Sequence, residues 1–263
     1  MELIRLGRAE LYKMRHTILP LFHLLVPLGG SIAFLLYYSC RDLEKITELS
    51  GFVQIIGIAL PLLAGIICAK SVELEEENHF QTFLGTVRRK RNALFGKWLT
   101  LLALAGVSIT LGIASFALGL QVLPGETKTD VTDYLILIAV LWIGCIPVYL
   151  FHLFLTLRYS QTVSMGVGVA EFLLAALFLT SLGDGLWFFV PCTWSARLGA
   201  GVCVGLYRAA QPGGSAGGTS WIITWYAALT EQHAVSIGFL IMAVFCVIIF
   251  AWFHFYEGRQ RND

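Results

Sequence analysis

A series of long apolar stretches constrains this chain more than any other feature of its sequence. The hydrocarbon core of a bilayer is about 30 Å thick, so a spanning helix needs roughly 20 residues at a rise of about 1.5 Å each. A helix also satisfies its own backbone hydrogen bonds, which lipid cannot do. The sequence predicts six such helices, approximately over residues 17–38, 52–69, 98–120, 134–155, 163–182 and 234–255. We therefore predict an all-α membrane protein in which residues 1–263 form a single transmembrane domain.

The composition agrees with a membrane protein and argues against several other classes. Hydrophobic residues make up 57% of the chain and charged residues 13%, whereas an ordinary soluble domain is roughly one quarter charged. The formal net charge of +1 gives no reason to expect a nucleic-acid partner. The six cysteines show no spacing typical of a zinc site. Two of them, Cys192 and Cys203, fall in one predicted external connection, where they form either a disulfide or two free thiols.

Lysine and arginine residues are distributed unequally between the two sides of the predicted bundle. Thirteen lie on the side of the N-terminus and five on the other side. Because positively charged loops resist translocation, both termini of this multi-pass protein are predicted to be cytoplasmic. No A-x-A cleavage signature is present, so we expect residues 1–16 to form an interfacial helix before an uncleaved first span.

The connection between the second and third predicted spans, residues 71–97, has a polarised charge pattern. Acidic residues dominate its start and basic residues its end, which suits the dipole of a helix. Apolar residues recur between them at helical spacing. With Ser71 as the N-cap, we predict one amphipathic helix over residues 73–91. The pattern alone leaves two interpretations open: a juxtamembrane helix against anionic lipid, or a coupling helix that fits a groove on a soluble motor subunit.

The same region resembles a known superfamily of membrane transporters. A triple glutamate is followed by F-Q-x-x-L, a basic cluster, and G-K-W-L at the start of a span. This order is similar to that in permeases of the type 2 ABC exporter superfamily, most closely the MutE/EpiE and MutG families of lantibiotic immunity. The chain lacks the family's glycine and has Thr86 and Val87 where proline is usual. The residues that match are Glu76, Glu77, Asn78, His79, Phe80, Gln81 and Leu84.

Two further passages carry this resemblance. Before the first span, Glu10, Leu11 and Lys13 resemble the family's E-x-x-K entry. After the fifth span the chain resembles the passage G-[DN]-x-x-W-x-x-x-P-x-x-W, through Gly183, Asp184, Gly185, Trp187, Pro191 and Trp194.

The resemblance implies the partners of this chain and the residues that contact them. Two ATP-binding subunits would bind ATP and magnesium, and a second permease, either a homologue or a second copy, would complete the membrane part. Lantibiotic-type peptides would be expelled from the membrane to the medium. The residues implied to couple the spans to the ATP-binding subunits are Glu73, Glu75, Glu76, Glu77, Phe80, Gln81, Leu84, Arg88 and Arg89.

The predicted external connection between spans five and six, residues 183–232, is rich in tryptophan and glycine. Tryptophan prefers the membrane interface, so simple anchoring is one interpretation. The resemblance implies another: a re-entrant hairpin that caps the translocation path and meets an amphipathic peptide. The residues expected to contact that peptide are Asp184, Trp187, Pro191, Trp194, Trp221 and Trp225.

One acidic residue, Glu171, falls inside the fifth predicted span, roughly 13 Å from its start. A carboxylate at that depth requires a partner, water or protonation. The nearest candidate partners by sequence are His152 and Arg158. A structural hydrogen bond and a gating or substrate role are both open. In the same span Gly166, Gly168 and Ala170 predict close helix packing.

No motif for catalysis or nucleotide binding occurs in the chain. The phosphate-binding pattern G-x-x-x-x-G-K-[ST] is absent, as are G-x-S-x-G and H-E-x-x-H. We therefore predict a non-catalytic subunit that binds no metal or cofactor itself. Two alternatives stay open: a type 2 permease for lipid, polysaccharide or a heme-related molecule, and a membrane scaffold or sensor without transport activity.

Overall fold

The computed structural model describes residues 2–41, 43–85, 87, 89–125, 129–210 and 234–258. Within these ranges every regular element is a helix, as predicted, and no strand occurs. The α-helices are α1 (Glu2–Met14), α2 (Leu19–Tyr38), α3 (Lys45–Glu76), α4 (Gln81–Leu84), α5 (Lys90–Val122), α6 (Val131–Arg158), α7 (Gln161–Phe178), α8 (Trp194–Ala210) and α9 (Ala234–His254). Short 3₁₀ turns lie at Ser181–Gly183, Trp187–Phe189 and Pro191–Thr193.

Six helices are long and apolar enough to cross a membrane: α2, α3, α5, α6, α7 and α9. This confirms the number of predicted spans and makes the chain a multi-pass membrane protein. The bundle is organised around α3, which packs against α6, α7 and α8, while α2 packs against α5. In the most apolar 18-residue stretch of α3, 61% of the residues are buried, against 17% in the corresponding stretches of α2 and α7. Helix α3 is therefore the centre of the bundle, and α2 and α7 leave most of their apolar surface uncovered.

Helices α3 and α5 are longer than predicted, with 32 and 33 residues. At about 1.5 Å per residue each measures roughly 50 Å, more than the bilayer core of about 30 Å. The prediction of one continuous helix over residues 73–91 is therefore wrong. Ser71 is not an N-cap but lies buried inside α3, and Lys90 already belongs to α5.

A backbone reversal ends α3 and separates it from α5. His79 and Phe80 adopt left-handed conformations, with φ of 49° and 57°, and the Phe80 N–H donates to the carbonyl of Glu75 at 2.8 Å. Such a bond satisfies a carbonyl that a helix end leaves without a partner. The acidic residues therefore lie at the C-terminal end of α3, where the helix dipole disfavours them, rather than at the start of a separate helix.

The turn between α6 and α7 is shorter than the predicted seven residues. Only Tyr159 and Ser160 separate the two helices. The Ser160 hydroxyl accepts a hydrogen bond from the backbone N–H of Val163 at 3.1 Å, which fixes the start of α7. This tight turn holds α6 and α7 as antiparallel neighbours.

Helix α8 begins deep alongside the central helices, not at their ends. A Cβ atom added to Gly57 of α3 would lie 2.5 Å from the Cα of Ala196. One added to Gly144 of α6 would lie 2.5 Å from the backbone nitrogen of Ser195. Both glycines are about 20 Å along their helices from the N-terminal ends. Ser195 is buried, and its hydroxyl donates to the carbonyl of Leu141 at 3.1 Å. The start of α8 is thus inserted between α3 and α6.

Candidate functional site

The residues between α3 and α5, 77–89, form an exposed segment that we call the connection; Thr86 and Arg88 lie outside the described residues. The predicted coupling residues that the structure describes fall into three groups by exposure. Glu77, Gln81 and Arg89 are exposed. Glu75 and Phe80 are buried, so they support the connection from within instead of forming its outer surface. Glu73, Glu76 and Leu84 are half-buried.

Aromatic side chains hold the connection against the end of α9. The ring of Phe80 meets that of Tyr256 edge-on, with centroids 6.0 Å apart, and the ring of Phe83 meets that of Phe253 at 5.9 Å. At the start of α5 the ammonium group of Lys90 donates to the carbonyl of Tyr256 at 2.9 Å. The connection is therefore fixed to the helix bundle at several points.

Beneath the connection lies a cluster of buried charges formed by Glu10, Lys13, Glu75 and Lys97, which we call the buried ion cluster. The Lys97 ammonium lies 2.6 Å from the Glu10 carboxylate and 2.9 Å from that of Glu75. Lys13 lies 2.9 Å from both carboxylates. The Lys97 and Glu75 side chains are 1% and 0% exposed. Three helices, α1, α3 and α5, are thus joined by ion pairs in which only Lys13, with a side chain 26% exposed, is reached appreciably by water.

The connection itself reaches into this cluster. Thr82 of α4 donates its hydroxyl to Glu75 at 3.2 Å. The Lys97 ammonium lies 5.3 Å from the centre of the Phe83 ring, within the range of a cation–π interaction. A displacement of α4 would therefore disturb the charges that join α1, α3 and α5.

Three of these charged residues were not identified as site residues from the sequence. Lys97 counted only as one more cation near a membrane boundary, and Glu10 and Lys13 only as part of a motif. One signal was present: Lys97 lies seven residues into α5, where a lone cation among apolar residues needs a partner. Its partners come from α1 and α3, too far away in sequence to be recognised as neighbours.

The second polar centre lies inside the bundle, where Glu171 contacts His152 as predicted. Their carboxylate and Nε2 atoms are 2.9 Å apart, and the other ring nitrogen of His152 lies 3.0 Å from the Ser164 hydroxyl. Arg158, the other suggested partner, lies instead over the ring of Tyr159. Ser164 contacts His152 and His152 contacts Glu171, which is the succession of contacts in the serine–histidine–acid triad of hydrolases. However, Ser164 is fully buried and also bonds the carbonyl of Gly65, so the geometry favours a structural network.

Replacement of Glu171 tests how much its contact with His152 stabilises the fold. Glu171→Leu leaves the fully buried His152 ring without its partner and should cost about 1–3 kcal/mol of unfolding free energy. Glu171→Gln keeps an acceptor near the ring and should cost less. Unfolding in mixed micelles, followed by circular dichroism, measures both. Equal losses for the two variants would show that the charge, and not the hydrogen bond, stabilises the network.

At the opposite end of the bundle, Asp184 is paired within the chain. Its carboxylate lies 3.0 Å from the guanidinium of Arg197, which also donates to the carbonyls of Phe178 and Thr180 at the end of α7. The Asp184 side chain is 67% exposed, and its contact with a cationic peptide stays a prediction. Trp194 is buried and donates its indole N–H to the carbonyl of Phe188 at 3.2 Å.

Four other residues are expected to contact a peptide, and the structure describes two of them. Trp187 and Pro191 lie in the 3₁₀ turns that lead to α8, while Trp221 and Trp225 lie outside the described residues.

Cys192 and Cys203 are both free thiols. Burial raises the pKa of each thiol to about 12, so both stay protonated at neutral pH.

Comparison of the chain with family models gives no match, and comparisons with curated proteins and with solved structures give none either. Within the described residues, no group of three or more His, Cys, Asp or Glu side chains could hold a metal ion. The connection and the buried ion cluster are therefore the features that carry the functional conclusion.

Proposed function

We propose that this chain is the membrane permease subunit of an ATP-driven ABC exporter that expels lantibiotic-type peptides from the bacterial cytoplasmic membrane. Two separate ATP-binding subunits hydrolyse ATP, and a second permease completes the membrane part. The connection lies on the cytoplasmic side and contacts an ATP-binding subunit. The sequence motifs that resemble type 2 permeases support this family, and the excess of lysine and arginine supports the orientation.

The single observation that carries this proposal is the construction of the connection. Its exposed residues Glu77, Gln81 and Arg89 offer polar groups to a partner. Below them, Thr82 and Phe83 bind the connection to Glu75 and Lys97, which belong to the two longest helices. A coupling element needs both properties, because a partner must bind it and its displacement must be transmitted to the spanning helices. A passive juxtamembrane loop needs neither.

The insertion of α8 between α3 and α6 supports transmission of this movement to the outer side, where the peptide would be released. We place the segment from Trp187 to Ala210 as a re-entrant cap at the outer side, with its deepest residues between α3 and α6. Closure of the ATP-binding subunits would displace the connection, α3 and α5. Because Gly57 and Gly144 touch the start of α8, a movement of α3 relative to α6 would reshape this cap and release the peptide.

Charge reversal in the exposed part of the connection tests the proposal. We expect Glu77→Lys combined with Arg89→Glu to lower peptide-stimulated ATPase activity about tenfold or more, because the reversal places like charges against each other at the interface, which is strongly unfavourable. The complex is purified with its ATP-binding subunits and measured in proteoliposomes. Arg158→Glu is the control, since this exposed residue lies outside the connection.

Three outcomes of this assay discriminate between the alternatives. Full stimulation in the double variant would refute the coupling role of the connection. Stimulation by lipid, glycan or a heme-related molecule, but by no member of a peptide panel, would favour a permease for another cargo. Failure of any ATPase subunit to co-purify with the unmodified chain would favour a scaffold or sensor.

A further inference from the structure

Helix α1 presents a stripe of positive charge on the side turned away from the bundle. Arg5, Arg8 and Tyr12 of α1 and Arg15, one residue past its end, follow each other at spacings of three and four residues. The Arg15 N–H donates to the carbonyl of Leu11 at 3.0 Å, so the helical turn continues and the four residues share one face. All four are exposed, Tyr12 by 69%. Within the described ranges no acidic side chain pairs with any of the three arginines. We call these four residues the arginine stripe.

The opposite face of α1 fixes the direction of this stripe. Glu10 is tied to the buried Lys97 at 2.6 Å, and Lys13 to the buried Glu75 at 2.9 Å. Met14 is 1% exposed, and a Cβ atom on Gly7 would lie 3.5 Å from the Thr100 hydroxyl. With this face held by ion pairs and packing, α1 cannot rotate to hide the arginines. Their exposure is thus a consequence of the fold.

The surface next to the stripe is apolar and continuous with the first span. Only four residues separate Met14 from Leu19, where α2 begins. Ile18 and Leu21 are 64% and 50% exposed, as expected of side chains that hydrocarbon covers. The C-terminal end of the stripe, Tyr12 and Arg15, therefore lies within six residues of the point where this apolar surface begins. Tyrosine is enriched at the boundary between the apolar and polar parts of membrane proteins.

We infer that the arginine stripe is a binding surface for anionic lipid headgroups. Guanidinium groups bind phosphate oxygens with two parallel hydrogen bonds, and a row of arginines beside a membrane is attracted to anionic lipid. The occupant is lipid and not a soluble protein, because the apolar side chains that continue the surface require hydrocarbon. Since Lys13 and Glu10 join α1 to Glu75 and Lys97, bound lipid also holds in place the helix that supports the connection. The inference does not depend on the proposed transport activity.

Lipid binding is measured directly on the full-length protein, purified in neutral detergent without an ATPase subunit. Phosphatidylglycerol or phosphatidylcholine with the same acyl chains is titrated, and bound lipids are counted by native mass spectrometry. We expect the unmodified protein to bind phosphatidylglycerol at least about tenfold more tightly. Arg5→Gln, Arg8→Gln and Arg15→Gln combined should weaken that binding about 100-fold, or about 3 kcal/mol at 1.4 kcal/mol per tenfold step.

Two matched variants make this result specific. The combination Arg41→Gln, Arg158→Gln and Arg208→Gln removes the same charge from exposed positions outside α1 and should change the affinity less than about threefold. Lysine at all three stripe positions keeps the charge and should retain most of the binding. Equal thermal unfolding midpoints in lipid-free micelles establish that the glutamine variant is folded.

Several results would overturn the inference. The inference fails if the stripe variant binds phosphatidylglycerol as tightly as the unmodified protein, or if the control variant loses as much affinity as the stripe variant. Displacement of the lipid by millimolar glycerol phosphate would identify a site for free phosphate anions. Unchanged lipid binding together with loss of a co-purifying subunit would make the stripe a protein contact.

Discussion

Replacement of Lys97 by methionine is expected to lower the free energy of unfolding by about 3–5 kcal/mol, the cost of leaving a buried charge without its partner. Lys97 is 1% exposed and lies within 3 Å of the carboxylates of Glu10 and Glu75. Methionine fills nearly the same volume, so little packing is lost. Lys13 would then be the only cation for two carboxylates, one of which is fully buried. Unfolding in mixed micelles measures the loss.

Lys70→Met is the matched control for this experiment. Lys70 also forms an ion pair, with Glu73 at 2.6 Å, but the two side chains are 42% and 35% exposed. An exposed pair contributes about 1 kcal/mol or less. Similar losses in the two variants would show that burial of the ion cluster has little effect on its energetics.

Removal of the Glu75 carboxylate should cost less stability in the Lys97 variant than in the unmodified protein. In Lys97→Met with Glu75→Gln, Glu10 and Lys13 remain as a balanced pair 2.9 Å apart. The double variant should therefore lose less than the sum of the two single losses, as residues of one network usually do. Strict additivity would mean that Lys97 and Glu75 do not depend on each other.

The second large effect is expected at the glycines that touch α8. A Cβ atom at Gly57 would lie 2.5 Å from the Cα and 2.7 Å from the nitrogen of Ala196. Backbone atoms cannot rotate away as a side chain can, so α3 and α8 must separate. We expect Gly57→Ala to cost about 3 kcal/mol, at the upper end of the usual range for overpacked sites. Gly144→Ala should act similarly, because its Cβ would meet Ser195.

Gly166→Ala in α7 is the control for the loss of a helical glycine. Nothing lies within 4 Å of a Cβ atom at that position. Since alanine is the better helix former, this variant should be neutral or stabilised by up to about 1 kcal/mol. Unfolding of the three single variants under the same conditions compares them. Equal stability of Gly57→Ala and Gly166→Ala would contradict the insertion of α8 against α3.

The close contacts of α8 were beyond prediction, although its residues were recognised as unusual. The sequence predicts an external connection over residues 183–232, with a re-entrant hairpin as one interpretation. Gly57 and Gly144 looked like ordinary glycines of membrane helices. Only the packing of Ser195 and Ala196 against both of them reveals why these positions have no side chain.

The charged connection shows how a correct pattern can lead to a wrong boundary. The apolar spacing and the run from acid to base fitted one helix over residues 73–91. The structure divides that stretch between the end of α3, the short α4 and the start of α5. The reversal occurs at His79 and Phe80, neither of which is a glycine, so the usual sequence signal for a helix end was missing.

The sequence by itself determined the six span-length helices and gave His152 as one of two candidate partners of Glu171. Both follow from the chemistry of a low-dielectric environment: about 20 apolar residues are required for each span, and an acid within a span must find a nearby polar partner. Tertiary structure alone decided the buried ion cluster, the bend at Phe80 and the depth of α8. These features join residues as distant as Glu10 and Lys97 or Gly57 and Ala196, and the energy of such contacts depends on burial and separation, which no local pattern encodes.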